Sequence, residues 1–172
     1  LMKYVSNNTI PFHVPGHKKG IGIPDDFKNF IGENAFKIDV TVFKSVDSLH
    51  HPTSSIKEAE ELIADAYNSD YSFLRINGTT IAIQAMIMSA VSEGDKILIP
   101  RNVHKSITAG IILSGAIPIY MEPDIDEFLS FSHGISLETI ETSLKNNPDV
   151  KAVLIINPTY YGVSTDTKNI AN

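Results

Sequence analysis

Between positions 72 and 156 the chain repeats one pattern: a short aliphatic run, a break, a helix-patterned stretch, then another aliphatic run. Few folds accept that alternation. It predicts an α/β domain whose strands lie parallel and are joined by right-handed crossovers. The runs are 72–76, Lys96-Ile-Leu-Ile99, Ile117–Met121 and Ala152-Val-Leu-Ile-Ile156. The last is aliphatic throughout, as in a strand covered on both faces. Helices are expected over 79–92, 104–114 and 136–146. Gly115 is placed to cap the second in a left-handed conformation. Ser136 opens the third, with Leu137, Ile140 and Leu144 on one stripe. The helix after 72–76 carries Ile81, Ile83, Met86, Ile87 and Met88, apolar nearly all round, and is expected to be buried.

One more helix precedes these. Ser55-Ile-Lys-Glu58 fits a capping box, and Ile56, Ala59, Leu62, Ile63, Ala66 and Tyr67 follow at helical spacing up to Asn68. Before it, residues 1–53 carry little periodicity. Pro11-Phe-His-Val-Pro-Gly-His-Lys-Lys-Gly20 is too rich in Pro and Gly for a helix or an interior strand. It reads as an arm that packs on something else, with Phe12 and Val14 as contacts. The expected organisation is an arm and irregular segment over 1–53 and an α/β portion over 54–172. The loop 122–135, with its acidic Asp124-Ile-Asp-Glu127, reads as solvated.

Bulk properties exclude several function classes. The 172 residues suffice for one domain with a real core. A net charge of −6 without a Lys/Arg run argues against nucleic acid or an anionic membrane surface as partner. No apolar run reaches membrane-spanning length, and residues 1–20 lack a signal-peptide core. Without cysteine there is no disulfide frame, thiolate nucleophile or zinc-thiolate site, which fits a reducing, cytoplasmic setting. His50-His51 lacks partners for a metal site and there is no cysteine, so no metal site is expected.

Parallel sheets bind ligands beyond the carboxyl ends of their strands. The first such loop is Asn77-Gly-Thr-Thr80. A glycine turn followed by a hydroxyl-bearing helix start gathers free N–H groups, the positive end of the helix dipole and two hydroxyls at one spot, which suits a phosphate. A capped turn with no ligand accounts for the same residues, and these residues alone leave both readings open. Neither a Walker loop nor a dinucleotide fingerprint is present. His104 begins the next helix at the same sheet edge, where an imidazole can stack on a flat ring or move a proton. A solvated histidine is the alternative.

Taken together, Pro11-Phe-His-Val-Pro-Gly-His-Lys-Lys-Gly20, Asp39-Val-Thr41, Asn77-Gly-Thr-Thr80, Arg101-Asn-Val-His-Lys-Ser106, Gly115-Ala-Ile-Pro118 and Asn157-Pro-Thr-Tyr-Tyr-Gly-Val163 occur in an order and spacing that resemble a known family. They look like the PLP-dependent ornithine/lysine/arginine decarboxylases of the aspartate-aminotransferase fold, over essentially the whole chain. The resemblance implies a parallel-sheet, three-layer αβα portion of a PLP-binding major domain, truncated at Asn172. It implies that Gly78, Thr79 and Thr80 bind the phosphate of pyridoxal 5′-phosphate, with Thr80 replacing the family's usual Ser. It also implies that His104 stacks on the pyridine ring, and that Asn157 and Thr159 lie near the substrate mouth. Around 52–55, Pro-Thr-Ser-Ser stands where the family tends to have a Gly.

The family's Schiff-base lysine and its pyridine-pairing aspartate belong to motifs expected downstream of Asn172. Neither motif occurs here, and Lys105 belongs to the ring-stacking motif. The chain therefore resembles the N-terminal third or so of a smaller family member, without a preceding receiver-like domain. The resemblance further implies that strands from the absent part separate 72–76 from the others, with 96–99 between 117–121 and 152–156. The implied parent decarboxylates arginine, lysine or ornithine, feeds polyamine metabolism and forms a homodimer or higher oligomer. A non-catalytic phosphate-binding or structural module, or another enzyme of this fold such as an aminotransferase, is the alternative. This chain alone is expected to be inactive.

Overall fold

In the computed structural model, residues 1–7 and 9–171 are described, and they divide into two compact units, 1–74 and 75–172. The helix of 55–67 thus falls in the first unit. That unit holds α1 (Met2–Ser6), α2 (Asp25–Ile31), α3 (Glu33–Ile38) and α4 (Ser55–Tyr67). The first three are short helices in a stretch expected to be irregular. The arm is anchored through His13 and not through the residues expected to pack: Phe12 and Val14 are exposed. Tyr4 donates its hydroxyl proton to His13 Nε2 at 2.7 Å, and both rings pack on Phe43.

The capping box of α4 does not form. Neither Ser54, which occupies the N-cap, nor Ser55 caps the helix through its hydroxyl. Asp47 does so from eight residues upstream. Its Oδ1 accepts from the N–H groups of Ser48 and Thr53, both at 2.9 Å, and its Oδ2 from Ser54 at 3.0 Å and Ile56 at 2.8 Å. A carboxylate so placed satisfies donors that a serine would have shared singly. Burial pushes the Asp47 carboxyl up, but the N–H donors of Thr53, Ser48, Ile56 and Ser54 together hold it well below the usual carboxylate range.

Residues 72–76 form no strand. Buried Glu60 of α4 takes their polar groups instead: Leu74 N–H donates to its Oε1 at 2.9 Å, and the Ser72 hydroxyl donates to its carbonyl oxygen. The Leu74 N–H, a donor that a sheet ladder would have used, is thus bound to a neighbouring helix.

The second unit holds α5 (Gly78–Ala90), β1 (Lys96–Pro100), α6 (Lys105–Ser114), β2 (Ile117–Met121), α7 (Leu137–Asn146), β3 (Val150–Val153) and α8 (Thr167–Ala171). The sheet is parallel with order β2-β1-β3, which places β1 in the centre as expected. β3 begins two residues earlier than the aliphatic run suggested and ends sooner. Leu154 N–H still reaches Leu98 O at 2.8 Å, but Pro100 at the end of β1 has no N–H to continue a ladder.

Side chains alternate across β1 and divide the core. Ile97 and Ile99 pack with Ile87, Val91, Ile107 and Ile111 of the α5–α6 layer. Leu98, fully buried, faces Met121, Ile135 and Ile140 toward α7. The result is three layers, with each such side chain contributing roughly 1.5–3 kcal/mol by leaving water. Gly110 lets the two helices of one layer meet: a Cβ there would stand 2.8 Å from Ile87 Cδ1. Gly115 closes α6 at φ 71°, the expected left-handed cap, and the Ser136 hydroxyl accepts from Thr139 N–H to start α7. α5 is less covered than its apolar sequence suggested. Only Ile87 is buried, because the helix presents one face to the sheet and to α6 and leaves Met86 and Met88 half-exposed.

Candidate functional site

Two features stand out in the second unit, one at the start of α5 and one in the loops that follow β1 and β3. The first is the start of α5. Asn77 and Gly78 both adopt left-handed backbone conformations, with φ of 77° and 66°. Asn77 occupies the N-cap position, yet its side chain makes no capping hydrogen bond. Gly78, Thr79 and Thr80 are exposed. A Cβ on Gly78 would meet nothing within 4 Å, so the positive φ, and not crowding, calls for glycine here. A helix start with exposed Gly78, Thr79 and Thr80, two hydroxyls and no capping side chain has the donor set a phosphate needs. The helix starts where the sequence predicted, within one residue.

The second feature is a cleft of about 470 Å³ lined by Asn102, Val103, His104, Ser132, Ile156, Pro158, Thr159, Tyr160 and Tyr161. His104 is the N-cap of α6. Ser106 N–H donates to its Nδ1 at 3.2 Å, and the hydroxyl of buried Ser106 lies 2.8 Å from the same nitrogen. Since Nδ1 accepts, a neutral ring carries its proton on Nε2. The imidazole is thereby fixed by its inner nitrogen and keeps its outer edge and faces for a ligand.

Thr159 is buried and shapes the opposite wall. Its N–H donates to Val163 O at 2.9 Å, and its Oγ1 accepts from Val163 N–H at 3.2 Å. Asn157 is outside the cleft lining; its Oδ1 accepts from Thr165 N–H at 2.9 Å and braces the same loop. The structure thus brings His104 and Thr159 into one cleft, while Gly78, Thr79, Thr80 and Asn157 do not line it. The aromatic wall of Tyr160 and Tyr161 follows from the tyrosine pair in the loop sequence. Asn102 and Ser132 were not singled out by sequence reasoning. Asn102 sat inside a recognised motif, and Ser132 sat in a loop whose polarity suggested only solvent. Among the described residues no cluster of metal-ligating side chains occurs, and no helix is long and apolar enough to cross a membrane.

Comparison with known proteins places the chain in a family. The family model described as Orn/Lys/Arg decarboxylase, major domain, matches residues 1–172. The arginine decarboxylase of Bacillus subtilis is 49% identical over 170 residues, covering 99% of this chain and 35% of that protein. A lysine decarboxylase of Pseudomonas aeruginosa is 31% identical, covering 95% of this chain and 24% of that protein. Among solved structures, the Francisella novicida lysine decarboxylase superposes with a TM-score of 0.81 at 31% identity, over 98% of this chain and 26% of that one. The chain therefore spans about a third of the length of the arginine decarboxylases it matches.

Proposed function

The chain belongs to the Orn/Lys/Arg decarboxylase family, and from that premise we propose that it forms the phosphate cup and one ring face of a pyridoxal 5′-phosphate site. The enzyme so served would decarboxylate arginine, lysine or ornithine in the cytoplasm, as a homodimer or higher oligomer. The observation that carries this reading is the uncapped start of α5, with Gly78 at φ 66° and the exposed Thr79 and Thr80 beside it. The N–H groups of this turn and the two hydroxyls would bind the phosphate oxygens, with the helix dipole favouring the dianion. His104, held through Nδ1, would orient the pyridine ring by stacking. Thr159 and Asn157 would keep the 157–165 loop shaped for the substrate side. When bound, pyridoxal 5′-phosphate supplies the electron sink for loss of the α-carboxylate. The 172 residues contain no Ser-x-His-Lys motif to hold that group covalently, so the chain's own contribution is binding and orientation.

Calorimetric titration with pyridoxal 5′-phosphate and with pyridoxal tests this. The phosphate form should bind measurably tighter, and the double substitution Thr79→Val/Thr80→Val should reduce the difference. Equal binding of the two forms contradicts the reading. Borohydride reduction followed by peptide mapping tests the covalent half. A single specific pyridoxyl adduct on Lys105 would contradict the assignment of that lysine to the ring-stacking motif alone.

A further inference from the structure

The 124–134 segment carries none of the residues assigned to chemistry. It is nonetheless a hairpin, bridged antiparallel at Ile125 and Ser132. Asp126 N–H donates to Phe131 O at 2.9 Å and His133 N–H to Asp124 O at 2.7 Å. The Asp126 carboxylate closes the turn by accepting Leu129 N–H at 2.7 Å. Its tip is exposed, with Phe128 almost wholly in solvent, while residues 131–134 are half-buried.

Those half-buried residues touch both loops of the cleft. The Asn102 side-chain amide donates to Ser132 Oγ at 2.7 Å, across 30 positions of sequence. On the other side, the Phe131 ring lies 4.9 Å from that of Tyr161. Gly134 stands so close to Thr165 that a Cβ would collide with its hydroxyl, and Thr165 is the residue whose N–H Asn157 holds. The hairpin thus contacts the 101–104 loop and the 157–165 loop together. Ser132 itself lines the cleft beside Asn102 and His104.

Ser106 fixes the His104 ring through its inner nitrogen, but the four-residue loop between β1 and α6 that carries the ring takes its placement over the cleft from neighbours. We propose that Asn102 and Ser132 are positioning residues: their hydrogen bond holds the 101–104 loop against the hairpin, so that the His104 ring stands in the cleft in one orientation. Phe131 and Gly134 hold the facing wall to the same hairpin, which makes the 124–134 segment a clamp on the cleft's width. The function of the clamp rests on the reading of His104 as the ring-stacking residue.

The test uses the whole chain with ¹³C,¹⁵N-labelled histidine and compares wild type, Asn102→Leu, Ser132→Ala, the double variant and Ser132→Thr. The His104 ring resonance should be a single line in wild type and should shift or split in Asn102→Leu and Ser132→Ala. Ser132→Thr, which keeps the hydroxyl, should restore it. Circular dichroism should be unchanged throughout, since Asn102 is exposed and Ser132 only half-buried. Affinity for pyridoxal 5′-phosphate should fall about fivefold in each single variant and no further in the double. A His104 resonance that none of the substitutions moves overturns the clamp. A wild-type chain that binds no pyridoxal 5′-phosphate overturns the cofactor reading instead, and the ring resonance alone then decides the clamp.

Discussion

His104 holds two tasks that a pair of substitutions can separate. Its Nδ1 caps α6, and its ring presents a flat face to the cleft. His104→Phe keeps a flat ring and removes the cap. Ser106 N–H then loses its acceptor, and the hydroxyl of Ser106, 2% exposed, loses its partner. A lost N-cap costs about 0.5–2 kcal/mol, and a stranded buried hydroxyl brings the expected total to about 1–3 kcal/mol. His104→Asn does the reverse. Asparagine is among the strongest N-caps, so stability should stay within about 0.5 kcal/mol of wild type, while the ring is gone. In a unit of this size, each kcal/mol moves the melting temperature by about 4–8 °C. Thermal melts should therefore rank Asn above Phe, and pyridoxal 5′-phosphate affinity should rank Phe above Asn. If both measurements order the two variants the same way, the division of labour at His104 is refuted.

Other perturbations probe the frame. Leu98→Ala empties a fully buried site in the central strand and should cost about 2–5 kcal/mol by denaturant unfolding. Gly110→Val should destabilise by about 1–3 kcal/mol, because its branches would meet Ile87 and the Gln84 backbone where α5 and α6 touch. The Asp47 carboxyl is held below its ordinary range in the fold. Its contribution should be complete above about pH 4 and lost as pH falls from there toward the lowered folded value. Asp47→Asn should flatten that acid limb in a pH series of melts.

The parallel sheet was legible because its cues are local. Gly94-Asp95 and Gly115 bound the β1 and β2 runs, and Gly115 and Ser136 cap the helices around them, all within a few residues of the elements they define. The failures share a cause, a partner distant in sequence. Ser55-Ile-Lys-Glu58 has the form of a capping box, but the helix takes Ser54 as its N-cap, and Asp47 accepts from the N–H groups of Ser54 and Ile56 from upstream. Residues 72–76 have strand composition, but Glu60 binds them. The aliphatic run at 152–156 marks β3 only roughly, because pairing depends on what β1 offers and Pro100 offers no donor. In the site, His104 and Thr159 could be named because motifs carry them, whereas Ser132 becomes visible only when the hairpin brings it to Asn102.

The central claim concerns the start of α5, and amide chemical shifts report on it directly. In a ¹H–¹⁵N titration of the chain with pyridoxal 5′-phosphate, and separately with inorganic phosphate, the account predicts that the amides of Gly78, Thr79 and Thr80 move first and furthest. Pyridoxal without its phosphate should leave them in place. Amides at 78–80 that stay fixed while pyridoxal 5′-phosphate binds elsewhere, or that respond equally to pyridoxal, would contradict it.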